Sequence, residues 1–110
     1  MIEHLRYAYH NPADECCGPP RLRQLAWSSR RVIDLLRYRG RRPLHLAQPG
    51  SAALTGQELT LQALLAAVDA GDTQAALRHA QWLVPTQEAA RLVRWAQPVV
   101  ETGAKLRIAA

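Results

Sequence analysis

Between Thr55 and Pro98 apolar residues recur every three or four positions, and the pattern breaks only where a helix would be capped. Thr55-Gly56-Gln57-Glu58 has the form of a capping box, in which the Thr hydroxyl takes the amide three residues on and Glu58 reaches back. Leu59, Ala63, Leu64 and Ala67 then carry a helix to about Ala70, where Gly71 ends it. Asp72 caps a second helix bearing Ala76, Leu77, Ala80, Leu83 and Val84. Pro85 interrupts, Thr86 caps again, and Ala89, Leu92, Val93 and Ala96 line a third helix that Pro98 is expected to end or kink. Helices joined by two or three residues must lie antiparallel or at steep angles, so 55–100 reads as a three-helix unit.

Upstream, Leu22, Leu25, Ala26, Ile33 and Leu36 form one more helical stripe, opened by Pro19 and Pro20 and stopped by Gly40. This defines a basic amphipathic helix over 21–39, which Ser28 and Ser29 could bend or divide. Residues 41–54 are a connector, extended from Pro43 to Leu46. Residues 2–9 fit a short helix or a strand and 10–20 read as a loop, so 1–20 is expected to be an irregular N-terminal segment. The tail from Gly103 to Ala110 is expected to fray. Leu and Ala dominate and Phe is absent, which favours helix over strand. The expectation is an all-α single domain over 1–110, a compact bundle of four to five short helices.

Residues 64–85 resemble the tetratricopeptide type of helical hairpin. Leu64 to Asp72, then Ala75-Ala76-Leu77 and Ala80, follow that family's order of a Gly-Asp-like turn, an Ala-Leu pair and another small residue one turn later. The sequence departs from the pattern at Leu64, where a small residue is usual, at Ala80, where an aromatic is usual, and at Pro85, which arrives early. The resemblance implies an adaptor or chaperone-like module offering a groove to a peptide or helix. The small cytoplasmic chaperones of bacterial secretion systems look similar in size and helix pattern.

The net charge of +5 is unevenly placed. Eight of thirteen arginines fall in 21–42 against the single acid Asp34, giving that segment +7. On a helical wheel Arg23, Arg30, Arg31 and Arg37 lie opposite the apolar stripe, with Trp27 and Asp34 among them. Such a face could follow phosphates or meet an acidic protein, with Trp27 as a stacking or anchoring ring. It could equally be a solvated face with Asp34 paired to Arg30, Arg31 or Arg37. Trp82 and Trp95 lie off the centres of their apolar stripes and mark a binding surface wherever they are exposed.

Little points to catalysis. Cys16 and Cys17 are adjacent, so they neither close a useful disulfide loop nor match zinc-ligand spacing with His4 and His10. His45 and His79 have no carboxylate or nucleophile nearby in sequence, and no phosphate loop or nucleophile elbow occurs. No enzyme activity, metal or cofactor is therefore expected. The N-terminus lacks a signal-peptide pattern and no apolar run could span a bilayer, so a soluble cytoplasmic protein is expected, with no membrane partner. The leading functional expectation is a protein-binding module using 59–97, with Trp82, Trp95 and Trp27 as contacts. The alternative is a nucleic-acid-binding accessory protein using Arg23, Arg30, Arg31 and Arg37. A second copy of the chain is a further candidate partner.

Overall fold

Five helices account for the regular structure of the described residues: α1 (Ile2–His10), α2 (Pro20–Arg39), α3 (Gly56–Asp69), α4 (Thr73–Leu83) and α5 (Thr86–Ala109). The computed structural model describes residues 2–11 and 20–109, including the side chains of all these except 21, 22 and 104–109. No strand occurs among them, and the molecule is an all-α bundle. Its radius of gyration of 13.0 Å is that of a compact domain of this length.

The capping signals at Thr55 and Asp72 act as the sequence implies, whereas Thr86, expected as a cap, is itself the first residue of α5. The Thr55 hydroxyl accepts from the Glu58 amide and the Glu58 carboxylate accepts from the Thr55 amide, so the capping box is complete. At the other end of α3 the Asp72 and Gly71 amides bond back to Ala67 and Val68, a Schellman closure. It requires the left-handed conformation that Gly71 adopts, φ +75°. Asp72 then caps α4 through the Ala75 amide. Gly40 ends α2 for a different reason: a Cβ there would stand 2.2 Å from the Leu36 carbonyl oxygen.

Helix α5 packs against α2, α3 and α4, while α1 lies on α2 and touches α3. Leu25, Val32, Ile33 and Leu36 of α2, Leu61, Leu64 and Leu65 of α3, Ala76 and Ala80 of α4, and Leu92, Ala96 and Val99 of α5 fill the core. Ala76 and Ala80 are fully buried, where only a small side chain lets neighbouring helices approach. The 43–46 stretch lies in no helix, and its Leu44 and Leu46 are buried while Pro43 and His45 are exposed, the alternation an extended chain imposes.

Four expectations are corrected. The N-terminal segment is not irregular throughout, because Ile2–His10 is helical. Nine residues are too few to hold a helix in water, and α1 exists because Leu5 and Ala8 are buried in the core. Ser28 and Ser29 do not divide α2 into two elements, and both are buried as small residues along it. Pro98 does not end α5, nor does the segment beyond Gly103 leave the helix, which runs to Ala109. The missing amide costs about 3 kcal/mol. Burial of Val99 and Val100 immediately beyond it returns about 1.5–3 kcal/mol each. Among the described residues no helix is long and apolar enough to cross a membrane.

Candidate functional site

A buried ion pair sets the position of the connector. Arg6 on α1 and Glu58 on α3 are 1% and 0% exposed, and they meet through two hydrogen bonds, Nε to Oε2 at 2.5 Å and Nη2 to Oε1 at 3.1 Å. The other guanidinium hydrogens go to Glu3 Oε1 (2.6 Å) and to the carbonyls of Ser51 and Ala53 (2.9 Å each). The Arg6 fork is thus fully used, which a buried guanidinium needs. Glu58 also accepts from the amides of Thr55 and Ala47, while Glu3 accepts from the Gly50 amide. The Arg6 guanidinium holds the Glu58 carboxyl below its ordinary value; burial opposes this, and the Thr55 and Ala47 amides assist. The Gly50 amide does the same for Glu3, against a smaller opposing effect of burial and with help from Arg6. Glu58 raises the Arg6 value further.

The connector is pinned from both sides. Tyr9 donates to the Leu44 carbonyl (2.8 Å) and His10 Nε2 lies within 3.2 Å of the Leu46 and Ala47 carbonyls. From α3, Gln57 accepts from the His45 amide and donates to the Pro43 carbonyl. This holds His45 at the surface beside the α3 N-terminus. Just before it, Arg41 reaches the C-terminal end of α4: its Nε donates to the Gln81 and Val84 carbonyls, and its amide to Leu83. A cation against the last carbonyls of a helix is electrostatically favourable.

Trp82 stands beside that junction and is 73% exposed. It borders two concavities. One, of about 580 Å³, is lined by Arg41, Arg42, Arg78, Gln81, Trp82 and Thr86. The other, of about 370 Å³, shares Arg42 and Trp82 and adds His45, Thr55, Gln57 and Thr60, among others. No carboxylate lines either one among the described residues. The chemistry on offer is an aromatic ring with guanidinium donors around it, suited to holding an anionic group beside an apolar one.

A second cluster lies on the α2–α5 seam. The Arg31 guanidinium lies over two indoles, 4.8 Å from the Trp27 centroid and 4.3 Å from that of Trp95. Trp27, Ser28, Arg31, Trp95 and Pro98 line a cleft of about 260 Å³ there. Trp27 is 59% exposed and Trp95 is half-buried against the core.

The structure therefore joins Trp27, Trp95 and Arg31, and sets Trp82 apart. Thr86 at the first cavity and Trp95 at the seam are nine residues apart along α5, about 13 Å. The four arginines of α2 also divide. Arg23 is exposed, Arg30 is half-buried and already engaged, and Arg31 is stacked. Arg37 ties α2 to α1, donating to the Tyr9 carbonyl (3.2 Å) and lying over the Tyr9 ring. Arg6 and Arg78 were not singled out by sequence, and Arg41 and Arg42 were counted only within the Arg-rich 21–42 segment; apart from Glu3, the partners of Arg6 and Arg41 lie 40 or more residues away. Glu58 was legible only as a cap. Cys16 and Cys17 lie outside the described residues.

Fold and sites together define an all-α bundle with two separate aromatic and cationic surfaces. No family model, curated protein or solved structure matches the chain.

Proposed function

We propose that this protein is a non-enzymatic helical binding module, adaptor-like, that docks an acidic segment of a partner protein on the Trp82 surface. The observation that carries the reading is Trp82 itself, exposed between two concavities whose charged lining is entirely cationic. Trp and Arg are the residues most enriched among those that dominate protein–protein affinity. Concavities of this size accept partner side chains on either side of the ring. Among the described residues no carboxylate lines the His45 cavity to orient it as a base, which supports binding over catalysis.

Peptide display against the folded protein tests this directly. The selected peptides are expected to be rich in Asp and Glu around an apolar anchor. Trp82→Ala is expected to weaken the best resynthesised peptide by about 30-fold, the effect of an anchor residue. Arg42→Glu with Arg78→Glu is expected to abolish binding and its salt dependence. Selection of neutral or basic peptides, or binding indifferent to Trp82→Ala in a variant with unchanged circular dichroism, would rule the site out.

A further inference from the structure

The Trp27–Arg31–Trp95 cluster differs in kind from the Trp82 surface. The Arg31 guanidinium lies over the rings of both Trp27 and Trp95, and its N–H bonds lie in the plane of the fork. Among the described residues no ion pair and no hydrogen-bond acceptor takes them. A half-buried guanidinium in that condition is prepared for an oxyanion, which a planar fork binds through two parallel hydrogen bonds.

Three neighbours narrow the ligand. Trp27 has Arg31 over it and still keeps 59% of its surface open, leaving an indole face for another flat group. Arg23, one turn before Trp27 on α2, and Arg94, next to Trp95 along α5, are exposed cations. Ser28 lines the cleft, and its buried hydroxyl has no hydrogen-bond partner among the described residues. Arg91, 5.9 Å from the Trp95 centroid, is itself paired with Glu88 at 3.3 Å.

We infer that this seam binds single-stranded nucleic acid, with a base laid on the open face of Trp27 and a phosphate held by the edge of Arg31. An acidic peptide would use the cations but leave the indole without a flat partner. A duplex would meet the cations but hide its base faces. Bases stack on aromatic rings irrespective of sequence, so the site is expected to be tolerant of base identity and sensitive to salt.

The test uses the full chain and a fluorescein-labelled deoxythymidine oligomer of roughly ten nucleotides at about 50 mM salt, read by anisotropy and by indole quenching. Binding is expected to weaken about tenfold or more in Trp27→Ala, a surface change that leaves the core intact. It should also weaken in Arg31→Lys, which keeps charge and loses the fork, and be lost in Arg23→Glu with Arg94→Glu. Trp82→Ala should leave it unchanged, which separates this proposal from the protein-docking surface. Absence of binding by the wild-type chain overturns the inference, as does a Trp27→Ala variant that binds as wild type. Polyglutamate binding as tightly as the oligomer, with the same dependence on Trp27, overturns it in favour of an acidic peptide.

Discussion

At the scale of single residues, the Arg6–Glu58–Glu3 network concentrates the fold's electrostatic dependence. Both carboxyls have folded-state values below the ordinary one, near 4.5. Groups depressed in this way contribute stability that is complete above the unfolded value and is lost as pH falls through the folded one. Arg6 remains charged throughout that window, so the loss comes from the carboxyl side alone. The melting temperature of the wild type is therefore expected to hold from neutral pH to about 5 and to fall steeply below about 4.5. Glu58→Gln leaves the buried Arg6 without its two-point partner and should melt lower at pH 7, with a visibly shallower acid limb. A thermal melt series by circular dichroism checks both. An acid limb of unchanged slope in the variant would show that other groups govern it.

At the scale of elements, each helix boundary has an identifiable cause, and the α3–α4 turn shows how local that cause can be. Gly71 sits at φ +75° with open space where a Cβ would go, so an alanine there meets strain and no clash. Gly71→Ala is expected to cost about 1–2 kcal/mol, a fall in melting temperature of several degrees. Gly56, at the first position of α3, also has open space around it and no positive φ. Gly56→Ala should accordingly be neutral or slightly stabilising. Equal effects of the two substitutions would contradict the backbone argument. Helix α5 makes the complementary point, since it continues through Pro98 because Val99 and Val100 are buried beyond it.

At the scale of the molecule, α5 runs about 36 Å, matching the longest dimension of 35 Å, and separates the two aromatic surfaces along its length. Its N-terminal end reaches the Trp82 concavities through Thr86, while its middle supplies Trp95 to the seam. Surfaces that share no side chain should act independently. Combining Trp27→Ala with Trp82→Ala is expected to change stability by the sum of the single effects within about 0.5 kcal/mol. Denaturant melts of the four proteins measure this. A larger deviation would mean that the two rings are coupled through α5.

The helical class, the caps at Thr55 and Asp72, the turn at Gly71 and the non-helical 43–46 connector were all legible in the chain, because they depend on neighbours within four residues. Exposure of Trp82 was foreshadowed by its place off the apolar stripe. What joins distant segments was not legible. Nothing near Arg6 in sequence announces Glu58, 52 residues away, and α1 forms only once that partner and the core exist. The basic face of α2 looked uniform as a wheel. Packing against α1 and α5 turned Arg37 into a tie and set Arg31 over the rings of Trp27 and Trp95, leaving Arg23 exposed. Short-range hydrogen bonding fixed the elements, while burial and long-range charge pairing, which depend on three-dimensional neighbours, decided what each surface can bind.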